Sequence, residues 1–340
     1  MTIKDIAAYC GVSTSTVSRV LNDHPDVSAD VREKVNEAIR ACHYIPNNSA
    51  RSLVSSRSTA IGVVSRGVDN PFLSSLIRVL GREIHNRGYT MVLHQITTQA
   101  DEVQAAAILE REKKLLGVIF LGGRFNYTEE ELHQLTVPFV CCTYTNTFGD
   151  LREDAYSSVS IRDEDEAKKA VQYLIDHGHR RIAVLMDDPA DSSIGQLRFQ
   201  GYQKALAEAG IPYDPALSLF TGDYGMDTAY DSVCALLDSG VDFTALFAHS
   251  DSQAIAAIKA LTDRGYRVPE DFSVIAIDGL DISNYTVPTL TTLCQPAEDM
   301  AKEALQMLIE LMEGAGSHCH KLMETALRPG GSVAPPPRAI

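Results

Sequence analysis

The chain has 340 residues, 45% of them hydrophobic, enough to bury a large core and to build two or three domains. A formal charge of −15 excludes a surface coated in basic groups for indiscriminate nucleic-acid binding. The acid is unevenly spread: residues 1–57 carry seven Lys and Arg against six Asp and Glu, and the remainder carries 23 against 39.

Seven cysteines, with no C-x-x-C pair, read as thiols of a reducing compartment and exclude a disulfide framework or a zinc module. His318-Cys319-His320 sets three possible ligands side by side, but adjacent side chains rarely converge on one ion. An exposed loop is expected there, with no metal and no cofactor. No basic-then-apolar leader opens the chain and no apolar run reaches membrane length, so a cytoplasmic protein without a membrane partner is expected.

The first predicted helix starts at a capping-box pattern, Thr2 to Asp5, buries Ile3, Ile6 and Ala7 on one face, and stops at Gly11. The second starts at Ser13 as its cap and runs from Thr14 to about Asn22. A turn of three or four residues containing Gly between two short helices is the helix-turn-helix pattern. Ser28 caps a third helix that Pro46 ends, and Ile6, Val17, Val20, Val31, Val35 and Ile39 are expected to form the shared core. The second helix crowds Ser13, Thr14, Ser15, Thr16 and Ser18 ahead of Arg19, although Ser and Thr are mediocre helix formers. Such a helix suits recognition: hydroxyls can pair with bases or phosphates, and Arg19 can fork onto a guanine.

The order and spacing of "VSTSTVSRVLN", "VSADVREKV", "YIPN" and "ARSL" closely resemble the DNA-binding head of the lactose/galactose repressor (LacI/GalR) family of bacterial transcription regulators. The resemblance implies base-reading roles for Thr14, Ser15 and Arg19, and phosphate-side roles for Thr2, Ser13, Thr16, Asn22 and Ser28. It also implies a hinge helix from Asn47 to Val54, with Ala50 and Leu53 entering the minor groove. An eight-residue helix is too short to stand alone, so the hinge is expected to order only against DNA and a second subunit. The partners implied are a near-palindromic double-stranded operator and a second copy of the chain, a homodimer.

From residue 59 the texture changes to short apolar runs at 60–64, 90–93, 117–121, 139–142, 181–185, 244–248 and 273–277. Near-continuous apolar strands suit parallel sheets covered on both faces. Amphipathic helical patterns lie between them, at Phe72–Gly88, Glu164–Gly178, Gln196–Gly210, Asp227–Gly240, Asp251–Gly265 and Glu298–Gly314. The alternation predicts two doubly wound α/β lobes. Continued through these elements, the resemblance implies a periplasmic-binding-protein-like sensor closing on a small, sugar-like effector. The expected division is a head over 1–46, a hinge and linker over 47–58, an effector-binding domain over 59–333 and a disordered tail over 334–340. Within the sensor, the first lobe is expected to take about 59–161 plus 290–318, and the second about 162–289 plus 319–333.

Ligands of open α/β sheets sit beyond the carboxyl ends of the strands. Those ends hold Ser65, Arg66, Gly122 to Arg124, Thr143, Tyr144, Asp187, Asp188, His249 to Asp251, and Asp278. The resemblance selects four residues for the effector: Phe72 to stack on a ring, Arg198 to fork onto adjacent hydroxyls, Asp278 to accept from a hydroxyl, and Ser250. Ser250 stands where sugar-binding members often carry Asn, and Gly279 where a second Asp is common. Asp251 reads as a helix cap. His249-Ser250-Asp251 holds the letters of a hydrolase triad, yet three consecutive residues cannot line up nucleophile, base and orienting acid, so no enzyme is expected.

Overall fold

The computed structural model describes residues 1–21, 24–42, 44, 58–67, 70–97, 99–124, 126–187, 192–222 and 224–337. Asn22, Asn47, Ala50 and Leu53 lie outside them. Residues 1–58 and 59–340 form two compact units.

In the first unit, α1 (Ile3–Cys10), α2 (Thr14–Leu21) and α3 (Ala29–Ala41) enclose Ile6, Ala7, Cys10, Val17, Val20, Val35 and Ala38. Asp5 closes the start of α1 by accepting from the Thr2 N–H (2.7 Å) and the Thr2 hydroxyl (3.0 Å). Gly11 ends the helix at φ 63°, a left-handed conformation that glycine adopts without a Cβ clash. Ser13 caps α2, its Oγ accepting from the Thr16 N–H at 3.1 Å. Ser28 holds the cap position of α3, but its hydroxyl makes no cap bond. Val31 and Ile39, expected fully inward, are only half-buried, because three short helices cannot cover every apolar residue of the longest one.

The second unit runs β1 (Ala60–Arg66), α4 (Pro71–Asn86), β2 (Thr90–Ile96), α5 (Glu102–Lys113), β3 (Gly117–Leu121), β4 (Phe139–Cys142) and β5 (Ser157–Ser160). It continues through α6 (Asp163–Asp176), β6 (Ile182–Met186), α7 (Ile194–Glu208), β7 (Ser218–Phe220), α8 (Met226–Asp238), β8 (Ala245–Ala248), α9 (Asp251–Asp263) and β9 (Ser273–Asp278). β10 (Thr291–Cys294), α10 (Ala297–Met312), β11 (His320–Leu322) and β12 (Ala326–Arg328) complete it. None of the described helices is long and apolar enough to cross a membrane.

The strands form two sheets, ordered β2-β1-β3-β4-β5-β11 and β7-β6-β8-β9-β10-β12. All pairs are parallel except β10 with β12. Both sheets have the doubly wound order whose switch point lies beside the first strand of the lobe. Along β3, Ile119 and Leu121 face one core and Val118 and Phe120 another, as the pleat requires of a strand covered on both sides. α4 and α10 pack together over the first sheet, and α6 and α7 pack together in the second lobe.

The chain passes between the sheets at 161–162, 295–296 and 323–325. Two expected boundaries therefore shift. Residues 291–294 stay in the second lobe, because β10 pairs with β9 before the chain crosses into α10. Residues 320–322 stay in the first, because β11 pairs with β5. The tail also differs at its start. Ala334 accepts from His179 Nε2 (2.8 Å) and from Ser273 Oγ (2.9 Å), and its N–H donates back to Ser273 Oγ (3.0 Å). A proline run cannot continue a helix, but its flanking carbonyls remain strong acceptors, and these bind it to the second lobe.

Candidate functional site

The switch points place the ends of β1 and β3 on one side of a cleft and the ends of β6 and β8 on the other. The cleft encloses about 340 Å³, lined from the first lobe by Arg66, Asn70, Phe72 and Thr143 among others. The second lobe contributes Asp187, Arg198, Tyr224, His249, Ser250 and Asp278, and Gln295 stands at the crossing into α10. All four residues selected for the effector line it.

Phe72 is buried at the start of α4, where Asn70 caps the helix by accepting from the Phe72 N–H at 2.9 Å. It belongs to the first lobe's core as well as to the cleft wall. Arg198, one turn into α7, is almost fully buried. Its Nε donates to Asp163 Oδ1 at 2.9 Å, a terminal nitrogen donates to the His249 carbonyl, and Asp278 Oδ1 lies 3.9 Å away. Asp278 ends β9 at φ 143°, and Thr143 follows β4 at φ 81°. A non-glycine residue held at positive φ costs about 1–3 kcal/mol, strain that concentrates where a side chain must be aimed. Asp278 Oδ1 accepts from Gln295 Nε2 at 2.9 Å, and Oδ2 is buried with no hydrogen-bond partner. Gly279 follows at φ 76°, and a Cβ there would fall 2.6 Å from Cys294 atoms, so this backbone has no room for a second aspartate.

Two assignments change. Ser250, and not Asp251, is the cap of α9: its Oγ accepts from the Gln253 N–H at 3.3 Å. Asp251 is instead a fully buried acceptor for Leu280 N–H (2.7 Å), Ser283 Oγ (2.8 Å) and Thr292 Oγ1 (2.5 Å). His249 and Asp187 stood among the strand ends without a role, and both line the cleft. Asp163 carried no signal, since an acid in a first helical turn reads as a partner for the helix dipole. His318 and Cys319 lie in the expected loop, with Cys319 exposed, while His318 and His320 bond Ser157 (3.1 Å) and Ser158 (2.7 Å) and tie the returning chain to β5.

Burial pushes the Asp278 carboxyl up to about 8, outweighing the Arg198 guanidinium. Burial, with Arg198, drives the His249 imidazole down to about 3. An unfolded aspartate titrates near about 3.9, so the folded state holds the Asp278 proton the more tightly. Its contribution to stability is complete below that value and lost as pH rises through about 8. His249 shifts in the opposite sense and titrates far lower. Melting curves from about pH 6 to 9 are expected to show stability falling with pH, and Asp278→Asn to flatten the fall. An equal slope in both proteins would place the titrating group elsewhere.

On the head, Thr14, Ser15 and Arg19 lie on the exposed face of α2. Arg19 contacts Asp26 at 3.3 Å, with both side chains about half exposed. Surface pairs contribute about 0–1 kcal/mol, so this one can be exchanged for a base edge at little cost.

Two family models match the chain: bacterial regulatory proteins of the lacI family over residues 2–47, and the periplasmic binding protein-like domain over residues 171–333. The chain is similar to the HTH-type transcriptional regulator MalR of Clostridium butyricum, 41% identical over 96% of this chain and 97% of that protein. It is also similar to the ribose operon repressor of Escherichia coli K12, 34% identical over 91% of this chain and 92% of that protein. Among solved structures, a complex of the transcriptional regulator CelR with cellobiose aligns with a TM-score of 0.70 at 30% identity, covering 98% of this chain and 99% of that one. A lac repressor dimer bound to operator and the anti-inducer ONPF aligns with a TM-score of 0.75 at 26% identity, with the same coverage. These relatives are transcription regulators and not enzymes. With such relatives matched nearly end to end, and with a helix-turn-helix head ahead of two parallel-sheet lobes, the chain belongs to the lacI family of bacterial regulatory proteins.

Proposed function

We infer that the protein is a sequence-specific transcriptional repressor that binds its operator as a homodimer and is controlled by a small sugar-like effector in the interlobe cleft. The observation carrying this reading is that Arg198 and Asp278 each bond a residue at a lobe crossing. Arg198 holds Asp163, just after the first crossing, and Asp278 holds Gln295, in the second. A ligand engaging both side chains acts directly on the segments that set the lobe angle. It shifts operator affinity by its differential affinity for the two lobe arrangements.

We assign the head to 1–46, the hinge to 47–58 and the effector-binding body to the residues from 59 onward. In the head, base reading goes to Thr14, Ser15 and Arg19, and phosphate contact to Thr2, Ser13, Thr16, Asn22 and Ser28. In the hinge, Ala50 and Leu53 meet the minor groove, and Asn47 is a further DNA contact. A bidentate arginine–guanine pair supplies about 1–3 kcal/mol of discrimination. Arg19→Ala is therefore expected to weaken operator binding by roughly tenfold while barely changing binding to a scrambled duplex at the same salt concentration. Parallel titrations on the two duplexes test this. Equal losses on both would reduce Arg19 to a phosphate contact. The reading as a whole is tested by adding sugars to the repressor–operator complex, and it fails if none changes operator affinity.

A further inference from the structure

The charged groups of the cleft are paired before any ligand arrives. Arg198 is committed to Asp163 and to the His249 carbonyl. Arg66 lies 3.9 Å from the buried Glu102, whose other oxygen accepts the Arg124 N–H at 2.7 Å. Each arginine lining the cleft is thus offset by a buried carboxyl, and Asp187 and Asp278 add two more to the wall. His249 is uncharged.

What the cleft lacks is hydrogen-bond partners, not countercharge. Asp278 Oδ2 and Ser193 Oγ are buried and unpartnered. The His249 ring lies beside the Leu185 carbonyl and the Gln253 side chain, and neither ring nitrogen closes a hydrogen bond. Ser193 stands at the cap position of α7 without spending its hydroxyl on the helix. A neutral imidazole offers one donor and one acceptor, and a sugar hydroxyl both donates and accepts, so adjacent hydroxyls match this set. A phosphate dianion only accepts. It has no proton to give the acceptor nitrogen of His249, and it would stand beside the Asp187 carboxyl at the cost of desolvation.

With Arg198 3.9 Å away, burial still keeps the Asp278 carboxyl largely protonated near neutrality, so it offers a hydroxyl ligand a donor as well as an acceptor.

We propose that this cleft selects an uncharged polyhydroxyl ligand, held through hydroxyl contacts to Asp278, His249 and Ser193, and rejects phosphorylated or carboxylated sugars. The proposal rests on the reading of a sugar-like effector given above.

The test is calorimetric titration of the full-length protein with matched probes: glucose, glucose 6-phosphate and glucuronate; ribose and ribose 5-phosphate; cellobiose and its 6-phosphate. At least one neutral sugar is expected to bind, with its charged counterparts weaker by about tenfold or more. His249→Gln is expected to weaken the neutral sugar by a similar factor. A phosphate ester that binds as tightly as its neutral parent overturns the selection and leaves the sugar reading standing. Binding by none of the probes overturns the sugar reading, and the selection with it. Unchanged sugar affinity in His249→Gln overturns the contact assigned to that residue.

Discussion

Arg198→Ala is expected to cost about 3–5 kcal/mol of stability and to abolish the ligand response, because the variant strips a buried carboxylate of its partner. Asp163 and Arg198 are 2% and 4% exposed at their side chains, so water cannot replace the lost guanidinium. Burial already raises the Asp163 carboxyl above its ordinary range, and Arg198 is the main group opposing that rise. Without Arg198 the acid is relieved chiefly by taking up a proton, so the deficit should be smaller at pH 5 than at pH 8. A double variant separates stability from function. Arg198→Met with Asp163→Asn removes both charges, and replacing a buried pair by groups of similar volume is often close to neutral. The double variant should melt near the parent and still fail to respond to ligand. A single variant as stable as the parent at both pH values would mean that Asp163 does not depend on Arg198. A ligand response surviving in the double variant would move the effector site away from this pair.

Apolar runs expose chiefly the strands buried on both faces, with β2, the run at 90–93, an edge strand that is only partly buried. β1, β3, β4, β6, β8 and β9 all stand out as short apolar runs for that reason. β5 does not: its sequence Ser157-Ser158-Val159-Ser160 is polar, yet every residue is buried, and the hydroxyls of Ser157 and Ser158 are satisfied by His318 and His320 from the returning chain. No local pattern can announce a partner 162 residues away. β10 gives no apolar run, since Thr291 and Thr292 interrupt it. The cleft shows the same division. Strand ends identify its wall, because the doubly wound order forces ligands there. The network behind the wall, Asp163 under Arg198 and Gln295 under Asp278, depends on the docking of separate helices and is hidden from spacing. The head is the most legible part: Thr2, Ser13 and Gly11 act within a few residues of themselves, so short-range chemistry suffices.

Asp251 carries the second large effect. One carboxylate at the first residue of α9 gathers the Leu280 N–H, the Ser283 hydroxyl and the Thr292 hydroxyl, and Arg328 approaches it at 4.0 Å. It thereby fixes the loop after β9, the strand β10 and the neighbouring β12 to a single point. Burial raises its carboxyl, while these donors and Arg328 pull it back toward the ionised form. Asp251→Ala would leave the Leu280 N–H and the Thr292 hydroxyl without their acceptor, while the Ser283 hydroxyl keeps the Leu280 carbonyl at 2.6 Å. At about 1–3 kcal/mol for each buried group left unsatisfied, a loss of at least about 2 kcal/mol is expected. Asp251→Asn keeps the shape and one acceptor oxygen, but turns an amide N–H₂ toward donors, so it should fall between the Ala variant and the parent. The functional consequence follows from position. Leu280 is two residues beyond Asp278, and its N–H bond to Asp251 helps hold Asp278 at its positive φ. Releasing that bond lets Asp278 relax away from the cleft, so ligand affinity should drop alongside stability. The DNA-binding head is a separate compact unit and is expected to keep its thermal transition. Denaturant midpoints and ligand titrations on the two variants decide the matter. Parental stability in Asp251→Ala would show that water accepts from the released donors, and a destabilised variant with parental ligand affinity would detach Asp251 from the aim of Asp278.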